Sequence, residues 1–331
     1  MIITRTPFRI SFFGGGTDYP GWFREHGGAV LATTIDKYCY ITCRRLPPFF
    51  EHKHRIVYSH IENVKHNDEI QHPAVRAVLN WAKVEEGMEI HHDGDLPARS
   101  GLGSSSSFTV GLLHALQGLN GQMANKDGLA RDAIHVEQNI IGENVGSQDQ
   151  VSAAFGGFNR IEFHRNDSFD VAPVILPGHR REELRDHLML CFTGFSRIAS
   201  EVAKSKIDNL KKREKELKLM RAMVDEAIAI LQDVSEPIES FGKLIDASWQ
   251  YKRSLSDRVS TPEIDSIYQA AMDAGAIGGK ILGAGGGGFL LIFAKPERQA
   301  AIRERLNKLI HVPFDFEDSG SRVVLYQPNG L

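Results

Sequence analysis

At 331 residues and 42% hydrophobic content, the chain is long enough for about two domains with sizeable cores. Thirty-nine basic residues against 42 acidic ones leave a net charge of −3, which argues against a nucleic-acid-binding face or a membrane-surface protein. No apolar run approaches a membrane span, the opening Met1-Ile2-Ile3-Thr4-Arg5 is too quickly charged for a signal peptide, and Cys39, Cys43 and Cys191 make no disulfide or zinc framework, so a soluble, cytoplasmic protein is expected.

In chain order, residues 2–6 and 9–13 predict two strands interrupted by Pro7, followed by a tight turn at Gly14-Gly15-Gly16. Residues 30–34 and 38–44 predict two more strands, with shorter candidates at 56–59 and 88–92. Residues 73–83 are helical in pattern. Four serines, Ser104 to Ser107, open an apolar-periodic helix running to residue 119. A second helix follows over 126–141, where Leu129, Ala133, Val136 and Ile140 recur at helical spacing. Residues 142–149 predict a glycine-punctuated loop, Gly156-Gly157 a turn, and 158–163 a strand. After a transition at 166–181 come a strand at 188–193, a long charged helix over 199–234, helices at 240–255, 262–274 and 296–309, and strands at 289–293 and 323–326. The mixed-charge run 211–218 is expected to be a solvated helix face. The fourteen histidines, His52 with His54 and His91 with His92 among them, lack zinc-site spacing. The mixture predicts an α+β architecture in two lobes, with the site between them.

One stretch stands out: Asp95-Leu96-Pro97-Ala98-Arg99-Ser100-Gly101-Leu102-Gly103-Ser104-Ser105-Ser106-Ser107. Serine is a favoured helix N-cap, the first N–H groups of a helix have no internal partner, and that end is partly positive. Glycines let an anion approach the backbone closely. These features describe a phosphate cradle; the competing reading is a Gly/Ser-rich surface loop. No Lys follows the last glycine, so this is not a Walker A loop.

Three glycine-containing segments, in this order, resemble the motifs of the GHMP superfamily of small-molecule kinases across essentially the whole chain. Thr6-Pro7-Phe8-Arg9-Ile10-Ser11 through Gly16-Thr17-Asp18-Tyr19 is similar to the first motif, residues 97–107 to the phosphate loop P-x-x-x-G-L-G-S-S-S, and residues 280–289 to the third. The resemblance implies an α+β, two-lobed GHMP kinase fold. An N-terminal ribosomal-protein-S5-like lobe, 1–175, would carry the phosphate loop and catalytic Asp; a C-terminal ferredoxin-like lobe would span 176–331. It implies phosphoryl transfer from ATP with Mg²⁺, in which catalysis is mostly positioning and charge stabilisation. Gly101, Leu102, Gly103, Ser104, Ser105 and Ser106 would hold the ATP phosphates. Ser105, with Ser104 next, and Glu137 would ligate Mg²⁺. Asp149, in Gly146-Ser147-Gln148-Asp149-Gln150, would face the accepting hydroxyl, either as base or only as orienter. Arg9 would keep Asp149 ionised and offset charge on the γ-phosphate.

Asp18 matches a position that bonds sugar hydroxyls, and Gly15, Gly16 and Thr17 beside it would also meet the substrate. Galactokinase-like members carry Glu-His where Gly15 and Gly16 stand before Thr17, a departure that argues against galactose and leaves room for a larger sugar. Residues 5–20 and 193–200 resemble the heptose 7-phosphate kinase branch, which implies transfer to an anomeric hydroxyl of a small-molecule sugar phosphate. Arg197 and Lys280 would meet the distal phosphate, with Lys37 and Arg99 behind them. Gly285 and Gly286 would help shape the site. Another sugar such as fucose or galactose, a non-catalytic binding protein on this scaffold, and an isoprenoid-type kinase remain alternatives, and a homodimer is left open.

Overall fold

The opening strand, Ile2–Phe13, does not stop at Pro7. It pairs antiparallel with Gly28–Arg45 from Ile2 opposite Cys43 to Phe13 opposite Leu31. The register shifts between Pro7 and Phe8, and such an irregularity accommodates a residue with no N–H to give the ladder. Gly28–Arg45 is likewise one 18-residue strand where two were expected. It stays unbroken because it changes partners: residues 28–33 pair with Phe158–Phe163, and residues 39–45 with Met88–Gly94. The computed structural model describes residues 1–98, 100–194 and 199–328.

Nine strands make this first sheet among the described residues. The chain's end returns to it: Phe316–Glu317 pairs at Ile35 and Thr34, and Arg322–Tyr326 pairs along residues 2–5. A division at 175/176 would fall between the strand Phe169–Pro173 and the helix Gly178–Asp186, yet these last strands lie with the first sheet. The helix Ser104–Leu119 packs across the sheet. Gly111 lets it approach so closely that a Cβ there would sit 2.9 Å from the Thr6 hydroxyl, and the Thr4 hydroxyl donates to the Gly111 carbonyl at 2.9 Å.

The second sheet has four antiparallel strands in spatial order Ile310–Val312, Leu188–Phe192, Phe289–Phe293, Gly278–Ile281. In chain order that is 4-1-3-2 with helices after the first and third strands, the ferredoxin-like arrangement. Two elements were hidden in the expected transition at 166–181, the strand Phe169–Pro173 and the first turn of the helix Gly178–Asp186. The long charged helix over 199–234 is broken into Ala199–Ile207, a 3₁₀ turn Leu210–Arg213, and Glu214–Gln232. The helix expected over 126–141 is α-helical only for Lys126–His135 and closes in a wider π turn, Val136–Ile141.

The lobes meet at their glycines. Gly288 lies so near residue 100 that a Cβ would be 2.2 Å from the Ser100 carbonyl oxygen, and a Cβ on Gly283 would be 2.5 Å from the Gly101 Cα. The Phe289 N–H then donates to Ser100 O at 3.0 Å. With φ at +92°, Gly288 also occupies backbone space that L side chains avoid. Gly288→Ala is therefore expected to lower stability by about 2 kcal/mol or more, read from the urea unfolding midpoint; a midpoint equal to that of the parent contradicts this packing account.

Candidate active site

A cavity of about 240 Å³ opens between the lobes. Its walls come from the opening strand (Arg9, Ser11), the glycine turn (Gly15, Gly16, Asp18, Tyr19), the phosphate loop (Gly101, Gly103, Ser104, Ser105, Ser106), residues 143–149, and three lysines, Lys206, Lys252 and Lys280. The fold thus gathers Arg9, Asp18 and Asp149 from separate elements onto one surface.

Arg9 is 4% exposed and Asp149 is 28% exposed. The Arg9 Nε donates to Asp149 Oδ1 at 2.9 Å, and Nη2 to Oδ2 at 2.8 Å, a bidentate pair. Arg9 Nη1 donates to the Gly101 carbonyl at 2.6 Å, so one guanidinium ties the phosphate loop to the carboxylate. Asp149 sits in the first turn of a helix, Gln148–Phe155, and not in the loop expected there. Eight residues between Ser147 and Gly156 left too few turns for a clear period, although Val151 and Ala154 are buried on one face.

Asp18 is buried under two donors. Gly16 N–H reaches Oδ1 at 2.8 Å and Gln148 Nε2 reaches Oδ2 at 2.9 Å. Burial raises its pKa above the ordinary carboxylate value, with those donors opposing. A Cβ on Gly146 would lie 1.9 Å from Asp18 Oδ2, which is why a glycine opens the segment ending in Asp149.

The phosphate-loop helix begins differently from expectation. Its N-cap is Gly103, with φ +77°, and no side chain caps it. Two of the serines are engaged elsewhere: Ser106 Oγ donates to Glu137 at 2.9 Å and Ser107 Oγ to the Pro7 carbonyl at 2.9 Å. Leaving the first turn without a side-chain cap suits an external anion better than a capped end would.

Glu137 is buried behind that helix. Its Oε2 accepts from Ser106 Oγ at 2.9 Å and from Gln150 Nε2 at 2.5 Å, while Oε1 has no hydrogen-bond partner among the described residues. The serine that touches Glu137 is thus Ser106, and Ser105, expected to act with it, is exposed on the cavity wall. Burial pushes the Glu137 carboxyl up to about 7, opposed by the polar side chains of Thr109, Ser106 and Gln150 around it. A buried carboxylate oxygen without a donor, beside serine hydroxyls, offers the oxygen-only chemistry that a hard cation such as Mg²⁺ takes.

Several expected contacts lie away from the cavity. Thr17 is fully buried; its hydroxyl engages the Gly14 and Ala29 carbonyls at 2.8 and 3.0 Å and accepts the Ala29 N–H at 3.1 Å, so it holds the turn in place of facing a ligand. Leu102 is buried in the first core, and its carbonyl accepts the Arg9 N–H at 3.0 Å. Gly285 and Gly286 do not line the cavity: the Gly286 N–H donates to Val259 O at 2.8 Å, and a Cβ on Gly285 would meet that same oxygen at 2.7 Å. Lys37 pairs with Asp36 at 2.9 Å in a different cleft beside Asp95 and Phe192. Arg197 and Arg99 lie outside the described residues.

Lys280, by contrast, reaches the cavity, with Nζ donating to the Phe12 carbonyl at 2.6 Å; burial, then Arg9 and Lys206, push it down to about 7. Sequence reasoning missed Lys206 and Lys252. The signal was there: Lys252 continues the buried stripe of Ile245, Ser248 and Trp249, and Lys206 that of Val202 and Ala203.

Two family models match the chain, the GHMP kinases N terminal domain over residues 69–157 and the GHMP kinases C terminal domain over residues 223–311. The chain is 31% identical over 318 residues to a D-glycero-alpha-D-manno-heptose 7-phosphate kinase of Campylobacter jejuni, with 93% of each covered. It is 28% identical to a galactokinase of Pyrococcus furiosus, over 93% of this chain and 94% of that one. In fold it is similar to a D-glycero-D-manno-heptose 1-phosphate kinase from Bacteroides thetaiotaomicron, with a TM-score of 0.79, 23% identity and 98% of each chain covered. The chain belongs to the GHMP kinase family.

The Glu137 carboxyl carries its own test. Its folded pKa lies above the ordinary 4.5, so its contribution to stability is present at low pH and is lost as pH rises through about 7. In metal-free, nucleotide-free protein, Glu137→Gln is expected to gain on the order of 2–3 kcal/mol over the parent at pH 8.5 and much less at pH 5. Thermal melts across that range check it; a difference independent of pH contradicts it.

Proposed function

We propose that this chain transfers the γ-phosphoryl group of ATP to the anomeric hydroxyl of D-glycero-α-D-manno-heptose 7-phosphate, giving the 1,7-bisphosphate. The coarser statement is firm: the chain is a carbohydrate kinase of the GHMP family, whose members take their phosphoryl group from ATP. The observation that carries the finer reading is the Arg9–Asp149 pair on a cavity wall shared by the phosphate loop and three buried lysines.

In this reading the backbone at Gly101, Gly103, Ser104, Ser105 and Ser106 holds the nucleotide phosphates, with no lysine in the loop to help. Asp149 faces the acceptor. The sugar oxygen attacks the γ-phosphorus, the bond to the bridging oxygen of ADP breaks, and the hydroxyl proton passes to an Asp149 carboxylate oxygen. A carboxylate is a weak base for an ordinary alcohol, but an anomeric hydroxyl is more acidic, and a late proton transfer lessens the demand. Arg9 holds both Asp149 oxygens and the Gly101 carbonyl, so it fixes the base relative to the donor loop and offsets charge as the phosphoryl group moves. Asp18, with the turn at Gly15 and Gly16, orients sugar hydroxyls. Glu137 and a loop serine, Ser105 or Ser106, would hold Mg²⁺, which supplies neutralisation of phosphate charge.

An ADP-release assay over heptose 7-phosphate, the unphosphorylated heptose, fucose, galactose and mannose tests the substrate. The first is expected to show the highest kcat/KM; a higher value for fucose or galactose moves the assignment to that sugar, and no turnover of any sugar removes the finer reading. Asp149→Asn is expected to lower kcat at least about a hundredfold while ATP binding survives, and near-parental turnover would take Asp149 out of the chemistry.

A further inference from the structure

The three lysines of the cavity are not equivalent. Lys252 Nζ donates to the Ile281 and Gly283 carbonyls at 2.6 and 2.7 Å, which anchors the glycine-rich segment behind the phosphate loop. Lys280 is tied to Phe12 O. Lys206 is 5% exposed and lines the cavity, yet among the described residues its ammonium has no hydrogen-bond or ion-pair partner. The Tyr19 ring, 5.6 Å from its Nζ, is a partial substitute for water. An ammonium facing a cavity without a direct protein acceptor, balanced only at a distance by Asp18 and Asp149, is poised to pair with an anion that enters.

The position of Lys206 says which partner. The helix Ala199–Ile207 packs through Ala203 and Ile207 on Tyr19 and Trp22, directly after the Gly15-Gly16 turn. That is the acceptor side of the cavity in the reading above. The nucleotide phosphates already have the uncapped helix start and Arg9. The nearby acids do not satisfy Lys206: Asp18 is occupied by Gly16 and Gln148, and Asp149 by Arg9.

Resting on the sugar-kinase reading, we propose that Lys206 is the specificity-determining residue that requires a second anionic group, a phosphate monoester, on the acceptor. The monoester oxygens accept from the Lys206 ammonium and give it the direct partner that the described residues do not supply. Burial lowers this lysine to about 8, opposed by Asp18 and Asp149, so it remains largely protonated at neutral pH. A neutral sugar leaves the ammonium unpaired inside the closed site and is rejected on that ground.

Steady-state kinetics of the full chain, with ATP and acceptor varied separately, test this. Lys206→Gln is expected to raise KM for heptose 7-phosphate by about tenfold to a hundredfold, to leave KM for ATP within twofold, and to bring the kcat/KM ratio of phosphorylated to unphosphorylated heptose toward one. Lys206→Arg is expected to restore part of that ratio. An unchanged KM for the sugar phosphate, or a rise confined to ATP, overturns the proposal. Should Lys206→Gln not fold, the parent enzyme still decides: equal kcat/KM for the two heptoses overturns the role of Lys206 while the kinase reading stands. If another sugar is the substrate, its phosphorylated and unphosphorylated forms serve as the same pair. Failure of every sugar removes the proposed substrate reading, and this proposal with it.

Discussion

The two parallel hydrogen bonds from Arg9 to Asp149, with the third from Arg9 to the Gly101 carbonyl, are the interaction on which the site depends. Arg9 comes from the opening strand, Asp149 from a short helix and Gly101 from the phosphate loop. No two of these are near in sequence, so the guanidinium sets their relative positions. A lysine could not do this, because it lacks the planar fork that spans two carboxylate oxygens while a further N–H reaches a carbonyl. Its own backbone is fixed too, through the bond from Arg9 N–H to Leu102 O.

Around that pair the molecule uses missing side chains as much as present ones. Gly146 makes room for the Asp18 carboxylate, Gly283 for the backbone of Gly101, and Gly288 for the carbonyl of Ser100. The third glycine-rich segment therefore acts as a wall behind the phosphate loop, which explains why Gly285 and Gly286 face Val259 and not the cavity. Lys252 holds this wall from the second lobe. The position of the phosphate loop thus rests on packing between the lobes as well as on its own sequence.

Much of the site could be read from the chain because its motifs are local. Residues 101–106, Asp18 and Asp149 each stand in a short segment that resembles a family motif, and all but Leu102 line the cavity or its mouth. Long-range facts were harder. The two long strands read as four, because Pro7 in one and Asp36-Lys37 in the other look like interruptions unless the register shift that they share is known. The helix Gln148–Phe155 is too short to show a period between its flanking glycines. Which serine meets Glu137 was not legible, because adjacent serines on a helix differ only in direction, which the neighbouring Glu137 and Gln150 decide. Lys206 and Lys252 sit on helices rich in charge, and only the buried stripe beside them separates them from solvated lysines.

In the proposed reaction a nucleotide's last phosphorus and a sugar's anomeric oxygen meet between the start of the helix Ser104–Leu119 and Asp149. A crystal structure of the protein with a non-hydrolysable ATP analogue, Mg²⁺ and heptose 7-phosphate tests it most directly. The account predicts the triphosphate on the backbone of Gly103 to Ser106, and the anomeric oxygen within hydrogen-bond distance of an Asp149 oxygen. A nucleotide bound away from that helix start, or a sugar whose nearest carboxylate is not Asp149, would contradict it.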